Sequence, residues 1–318
     1  MRKPPVFVIF GPTSSGKTSL ALKLSKALNG VIISADSRQV YKEMDIGTGK
    51  VPIKTNYKIT KLDGKWEIDG VDIYGYDIVF PNEYFSAYDF YKYASDVIEV
   101  ENLKNKTIFL VGGTGFYLDV VTGRSPMSGV EPDQELRKQL NLKSTEELYV
   151  ILKRSNKKLA EKVDKDNRNR IIRAIEIASS FSNIKSYKQK EVKSKLVDNF
   201  EFIHIGLTAS RNDLYNRVDL WLDEIWKGGL IEETKFLMNK YGEIDKLSGL
   251  VYRSAVEFLA QKEIEENAKQ KAKYDLHKYI RRQETWFKKY DDAKIFDTTD
   301  KNYYREVLNL IQSKYNHE

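Results

Sequence analysis

Residues 11–18 read Gly-Pro-Thr-Ser-Ser-Gly-Lys-Thr and follow directly on the apolar run at 6–10. This is the spacing G-x-x-x-x-G-K-[ST], and it constrains the fold strongly because it works only between a strand and the start of a helix. Both neighbours are present. Leu20, Ala21, Leu24, Ala27 and Leu28 recur with a helical period, so the positive end of that helix faces the loop. Gly11 and Gly16 let the backbone curl until successive N–H groups point inward, with Thr13, Ser14 and Ser15 between them. Lys17 reaches terminal phosphates and the Thr18 hydroxyl can ligate Mg²⁺. The pattern therefore predicts a polyphosphate ligand and a parallel α/β sheet, and leaves open which diphosphate is bound.

A chain of 318 residues, 41% hydrophobic, can bury a large α/β domain and a smaller one. It has no cysteine, which excludes disulfides, thiolate metal sites and a cysteine nucleophile. Only five apolar residues precede the loop and no run approaches membrane-spanning length, so the expected location is the cytoplasm, with no membrane contact. The net charge of +7 is unevenly placed. Residues 1–136 carry 16 basic and 17 acidic side chains, 137–198 carry 17 and 8, and 199–318 carry 20 and 21. A basic module set in a neutral background suggests a polyanion larger than a nucleotide; a lysine-rich solvated face is the plainer alternative.

Along the chain, residues 1–50 read as strand, loop, helix and strand, the start of a parallel βαβ unit. Between 56 and 79, short alternating segments broken by Asp63-Gly64 and Asp69-Gly70 predict a hairpin or small meander. Helix is expected at 86–99 and a buried strand at 107–111, which runs into Gly112-Gly-Thr-Gly. Residues 126–198 read as helical and basic, with helix starts at Glu131-Pro132-Asp133 and Ser144-Thr-Glu-Glu. A strand at 201–207 follows, then helices at 211–238, 253–258 and 268–290, and a polar turn at 297–300 before a last amphipathic helix. The domains are thus a core of 1–125 with 199–318 and an insert of 126–198.

Asp36 ends the second strand, in Ser34-Ala-Asp-Ser-Arg-Gln-Val-Tyr. A carboxylate there projects over the C-terminal edge of a parallel sheet, beside the phosphate loop. It is a candidate general base, or else a residue that orients Mg²⁺ through water. Its neighbours Ser37, Arg38, Gln39 and Tyr41 offer donors, acceptors and a ring suited to a nucleobase.

The loop at 11–18, SADSRQVYKEMDIGTGK at 34–50 and LVGGTGFYL at 110–118 closely resemble the tRNA dimethylallyltransferases, also called tRNA isopentenyltransferases, of bacterial type. Further blocks in the same order are Arg170-Ile-Ile-Arg-Ala-Ile-Glu, Gly249-Leu-Val-Tyr-Arg and Tyr279-Ile-Arg-Arg-Gln-Glu-Thr-Trp-Phe. The resemblance implies a P-loop NTPase-like parallel sheet flanked by helices, with an inserted basic all-helical domain that binds tRNA. It also implies transfer of a dimethylallyl group from dimethylallyl diphosphate to the exocyclic amine of the adenine 3′-adjacent to the anticodon. Gly11, Thr13, Ser14, Ser15, Gly16, Lys17 and Thr18 would then hold the diphosphate, with Mg²⁺ on Thr18, and no ATP hydrolysis is required. Asp36 would take the proton from the amine, and Thr114 would hydrogen-bond near the reacting groups. The adenine must leave the anticodon stem-loop to react. Ser37, Arg38 and Gln39 would clamp it, and Arg137, Arg170 and Arg173 would engage the loop and its backbone. Arg253, Arg281 and Arg282 complete the expected tRNA contacts, the last two in a run at 269–289 with eight basic and two acidic residues. A monomer suffices for this geometry.

Trp221 stands where relatives commonly carry an arginine, so one cationic contact to the diphosphate is either absent or supplied by Arg38, Lys50 or Arg253. Asn167 stands where many show aspartate, and the turn-rich stretch at 51–76 exceeds the usual connection. A free-nucleotide (adenylate) isopentenyltransferase would share the loop, Asp36 and Thr114, and the basic module argues against it. A P-loop small-molecule kinase binding ATP leaves Gly112–Gly115 unexplained. An RNA-binding module without catalysis leaves Thr18 and Asp36 without a purpose.

Overall fold

Strands β1 (Pro5–Phe10), β2 (Gly30–Ser34), β6 (Thr107–Gly112) and β7 (Glu201–Thr208) are the apolar runs of the sequence. β2 and β6 are buried at every position, as strands covered on both faces must be. A computed structural model describes residues 2–50, 56–127, 130, 132–181 and 194–315. With β3 (Ile59–Leu62), β4 (Lys65–Ile68), β5 (Val71–Tyr74) and β8 (Lys294–Asp297), these strands form one eight-stranded sheet in the order β3-β4-β5-β2-β6-β1-β7-β8. Every pairing is parallel except β3 with β4 and β4 with β5. β1 and β2 are parallel as expected, but β6 lies between them, with Val8 opposite Leu110 and Ile33 opposite the same residue from the other side. That order sets the C-terminal ends of β2, β6 and β1 side by side, where open parallel sheets hold their ligands.

The meander read from the two Asp-Gly turns is present, and it extends the main sheet through β5 on β2. Asp69 and Gly70 take φ of 50° and 79°, the pair of positive values a tight turn between β4 and β5 requires. β8 was not expected from the sequence; only Phe296 of its four residues is buried, so it carries no periodic signal.

The helices run α1 (Lys17–Ala27), α2 (Ala87–Leu103), α3 (Gly115–Val121), α4 (Gln134–Leu140), α5 (Thr145–Ser155), α6 (Lys157–Ala160) and α7 (Arg168–Phe181). They continue with α8 (Leu196–Asn199), α9 (Arg211–Ile225), α10 (Ile231–Tyr241), α11 (Leu250–Leu259), α12 (Glu265–Phe287) and α13 (Tyr303–Tyr315). The single helix expected at 211–238 is two, separated at Trp226–Leu230 where Gly229 takes φ 114°. Among the described residues no helix is long and apolar enough to cross a membrane.

The chain divides into two compact units, residues 1–125 with 194–318, and residues 126–193. Residues 194–198, expected in the insert, belong to the first unit: Ser194 Oγ donates to the Val121 carbonyl at 2.7 Å and the Lys195 N–H to the Tyr91 hydroxyl at 3.1 Å. The second unit holds α4 to α7 around Leu140, Leu148, Leu152, Ile171, Ile172 and Ile175. Its helix starts are those read from the sequence. Asp133 accepts the Leu136 N–H at 2.9 Å, and Ser144 with Glu147 forms a capping box; Glu131 lies outside the described residues.

Candidate active site

The phosphate loop leaves β1 at Gly11, whose φ of 153° and whose contact with the Leu207 carbonyl, 2.4 Å from where a Cβ would stand, admit only glycine. Gly16 is the N-cap of α1 in left-handed conformation and supplies no side chain to the helix end. The first N–H groups of α1 are therefore left for an anion. Ser15 Oγ is buried in the loop without a hydrogen-bond partner. Lys17 Nζ donates to the Pro12 carbonyl at 2.7 Å. Burial pulls the Lys17 pKa down to about 8, against the opposing pull of the Asp36 carboxylate nearby. A diphosphate in the loop would restore the charge.

Beyond the strand ends the sheet ladder continues. The Ala35 N–H donates to the Val111 carbonyl at 2.7 Å and the Thr114 N–H to the Ala35 carbonyl at 3.3 Å, which sets Thr114 beside the turn at Asp36. Thr114 Oγ1 accepts the Ser37 N–H at 3.0 Å and donates to Ser37 Oγ at 3.3 Å. Asp36 Oδ1 accepts the Arg38 N–H at 2.8 Å, an Asx turn that fixes the carboxylate, with the Lys17 ammonium near enough to feel its charge. The Tyr279 hydroxyl is hydrogen-bonded to Thr114, and burial together with the Asp36 charge raises its pKa. Asp36, Thr114 and Lys17 thus lie together at the edge where β2, β6 and β1 end.

Three organising residues escaped the sequence reading. Gln283 on α12 accepts the Thr13 N–H at 2.9 Å and donates to the Gly113 carbonyl at 3.0 Å, tying the phosphate loop to the second glycine turn. A Cβ on Gly113 would stand 2.3 Å from Gln283 Nε2. Its signal was available: a glutamine, 4% exposed, on the buried stripe Leu276, Ile280 and Phe287 must find partners. Tyr279 lies one turn before it. Glu233 accepts the N–H groups of Asp45, Ile46 and Gly47 at 2.8, 2.7 and 3.0 Å, and the Tyr252 hydroxyl at 2.6 Å, so one carboxylate shapes the loop after Asp36.

Next to Ser37 opens a cavity of about 1160 Å³. Six of its lining side chains are cations, Arg38, Arg253, Arg281 and Arg282 among them, against the single acid Asp275. The rings of Tyr279 and Trp286 also line it. Arg38 Nη1 donates to the Lys246 carbonyl at 3.0 Å, Arg281 Nη1 to the Tyr215 hydroxyl at 2.9 Å, and Arg282 lies over the Tyr279 ring. These partners are neutral, so the guanidinium charges stay available to phosphates. Arg253 differs in being paired with Asp275. Gln39 is held at both ends: its Oε1 accepts from Ser34 Oγ at 2.7 Å and its Nε2 donates to the Thr48 carbonyl at 3.1 Å.

In the second unit Arg137 and Arg173 both reach Glu176, which is 1% exposed. Arg137 bonds it through Nε and through Nη2 at 2.8 Å, Arg173 through Nη1 at 2.9 Å, and the Asp133 N–H adds a fourth bond at 3.1 Å. Burial by itself would raise the Glu176 pKa, yet these partners hold it below the ordinary carboxylate value. Arg170 is exposed, and Asn167 Oδ1 accepts its N–H at 3.1 Å, so asparagine fills the capping role that aspartate would. Trp221 packs on Gly49 in the first unit. Lys50 cannot replace an arginine there, because its ammonium is enclosed by the Tyr41 carbonyl, Asp45 and Asp77. Arg38 and Arg253 remain on the cavity wall.

Among the described residues no group of three or more His, Asp or Glu side chains is placed to hold a metal.

Comparison with known proteins extends these features over the chain. The family model described as IPP transferase matches residues 39–290, and that described as isopentenyl transferase matches residues 4–63. A tRNA dimethylallyltransferase of Clostridioides difficile is 35% identical, covering 98% of this chain and 97% of its own. The full-length tRNA isopentenylpyrophosphate transferase of Bacillus halodurans superposes with a TM-score of 0.69 at 30% identity over 100% of both chains. A eukaryotic dimethylallyltransferase acting on tRNA shares the fold, with a TM-score of 0.74 at 21% identity over 99% of this chain and 80% of that one. With one family model spanning most of its length and relatives matching it end to end, this chain belongs to the IPP transferase family.

Proposed function

We propose that this chain is a tRNA dimethylallyltransferase that moves a dimethylallyl group from dimethylallyl diphosphate to the exocyclic amine of the adenine 3′-adjacent to the anticodon. The observation that carries the reading is the meeting of the phosphate loop, Asp36 and Thr114 at three adjacent strand ends, next to a cation-lined cavity. A free nucleotide would not need a cavity of that size and charge. The tRNA and prenyl chemistry is that named for its bacterial relatives.

In the reaction the amine nitrogen forms a bond to the first carbon of the dimethylallyl group, the bond from that carbon to oxygen breaks, and diphosphate leaves. Lys17 and the N–H groups of the loop stabilise the charge that develops on the leaving oxygens. Asp36 accepts the amine proton, and Thr114, fixed by Ser37, holds the turn that aims it. The Thr18 hydroxyl, a hard oxygen donor in the loop, would hold Mg²⁺, which would supply neutralisation of charge on the leaving diphosphate. Ser37 and Arg38 on the cavity wall, with Gln39 next in the chain, would clamp the flipped base, and Arg253, Arg281 and Arg282 would take phosphates of the stem-loop from the same wall; Arg170 is an exposed cation of the insert open to RNA. All the proposed catalytic groups come from one chain, so a cytoplasmic monomer is sufficient.

The test is incorporation of labelled dimethylallyl diphosphate into unmodified tRNA whose anticodon is followed by adenine, with Mg²⁺ and no ATP. Label in the tRNA is the expected result. Label in AMP and none in tRNA would overturn it.

A further inference from the structure

The stretch that lengthens the connection after Lys50 has no part in the chemistry just described, yet it is wired into the loop that carries Gln39. Trp66 of β4 is fully buried, and its Nε1 donates to Asp77 Oδ2 at 2.6 Å. The other Asp77 oxygen accepts from Lys50 Nζ at 2.6 Å. Lys50 Nζ also donates to Asp45 Oδ1 at 2.9 Å and to the Tyr41 carbonyl at 2.6 Å. The second Asp45 oxygen accepts from Lys61 Nζ of β3. Each carboxylate therefore has one oxygen on the buried ammonium and one on the hairpin. The two lysines lie over the Trp66 ring as well, Lys61 at 4.4 Å and Lys50 at 5.7 Å from its centroid.

Gln39 sits between the two ends of this circuit. Its backbone carbonyl accepts the Asp77 N–H at 3.3 Å, and the next carbonyl, of Val40, accepts the Ile78 N–H at 2.8 Å. Its side chain donates to the Thr48 carbonyl at 3.1 Å, inside the turn that closes with the Lys50 N–H on the Asp45 carbonyl at 3.1 Å. Glu233 grips the same turn at Asp45, Ile46 and Gly47. An ammonium 1% exposed between two carboxylates holds its geometry only while both carboxylates keep their other partners. Those partners are Trp66 and Lys61.

We propose that the β3–β4 hairpin is a brace for the acceptor site: Trp66, Lys61, Lys50, Asp45 and Asp77 are positioning residues that hold Gln39 where it meets the acceptor base. This rests on the transferase reading above, and it assigns a purpose to the extended segment. The brace acts on the acceptor, since among the described residues its hydrogen bonds run to the loop of Gln39 and to the hairpin, and those of the phosphate loop run elsewhere.

The experiment measures acceptor KM, donor KM and kcat for the full chain and for Trp66→Phe and Lys61→Ala, with unmodified tRNA and dimethylallyl diphosphate. Trp66→Phe keeps the ring and removes the N–H; Lys61→Ala removes an exposed contact at the far end of the circuit. The expected result is an acceptor KM raised about tenfold by Trp66→Phe and about threefold by Lys61→Ala, with donor KM within about twofold. A fall in kcat with both KM values unchanged would mark the hairpin as a folding element only and overturn the proposal, as would no change at all. Should Trp66→Phe not fold, Lys61→Ala decides on the same terms. Transfer by the unaltered chain keeps the functional reading separate from this one; its absence would overturn both.

Discussion

Asp36 and Glu176 are both carboxylates with an arginine close by in sequence, Arg38 and Arg173, and the fold uses them in opposite ways. Asp36 accepts the Arg38 backbone N–H on Oδ1, at a strand end that is partly exposed. Glu176 is sunk in the insert and spends both oxygens on two arginines. In the proposed reaction the first arrangement leaves a carboxylate to serve as base and a guanidinium to meet an anion. The second cancels charge to build a core. The same residue types thus mark chemistry in one unit and architecture in the other, and the buried partner decides which.

The largest test of this contrast is removal of the first carboxylate. Asp36→Ala should lower kcat by about 10²- to 10⁴-fold, the usual worth of a positioned base. tRNA affinity should stay within about twofold, because phosphate contacts carry most of it. If affinity fell in step with activity, measured by filter binding beside turnover, Asp36 would be a binding group and the contrast would fail. In the insert the corresponding change is Arg137→Met, which leaves Glu176 buried with half its support and should cost about 3 kcal/mol of the insert's stability. Hydrogen exchange of the α5 and α7 amides reads that loss. Adding Glu176→Leu should return most of it, since a buried pair is often replaceable by apolar packing. The pair also has a pH signature. A carboxyl held below its ordinary value near 4.5 contributes fully above that pH and loses its contribution as pH falls through the lowered native value, so acid should loosen the insert.

The contrast also explains what the sequence could and could not reveal. Strand, loop and helix around Gly11–Thr18 were legible because that spacing has one physical setting, and the Asp-Gly turns announced β3, β4 and β5 for the same reason. Asp36 was placed by its strand end, whereas Thr114 came with the family resemblance. Gln283, by contrast, meets Thr13 across 270 residues, and Glu233 meets Ile46 across 187, so the residues around each do not name its partner. The resemblance grouped Arg137 and Arg173 with Arg281, and what it did not show is that both bond Glu176. The insertion of β6 between β1 and β2 was hidden too, since pairing order is a tertiary choice. At 211–238 the helical period ran through Gly228-Gly229, although the glycine pair itself marked the break.

Lys17 sharpens the core side of the comparison. With its pKa near 8 in the free loop, Lys17 is charged below that pH and neutral above it. Donor KM should therefore rise by up to about tenfold per pH unit above 8, until the pKa restored by the bound diphosphate is passed. Lys17→Arg should abolish that rise, because a guanidinium keeps its charge. A flat donor KM from pH 7 to about 9.5 in the unaltered chain would place Lys17 away from the diphosphate.

The smallest expected effect is the most direct comparison of arginine with arginine. Arg281→Ala and Arg282→Ala remove guanidinium groups whose protein partners are a tyrosine hydroxyl and a tyrosine ring. Each should weaken tRNA binding about three- to tenfold at moderate salt and reduce the slope of log K against log salt by about 1. Thermal stability should hardly move, because neither residue supports a buried charge. Arg173→Ala should do the reverse: unfold the insert more readily through Glu176, while any loss of tRNA affinity disappears when Glu176→Gln is added. If Arg173→Ala lowered the salt slope in the Glu176→Gln background as well, its guanidinium would be on a phosphate in the complex. The line between architectural and RNA-facing arginines would then run through the insert itself, with Glu176 as the place where Arg173 waits for RNA.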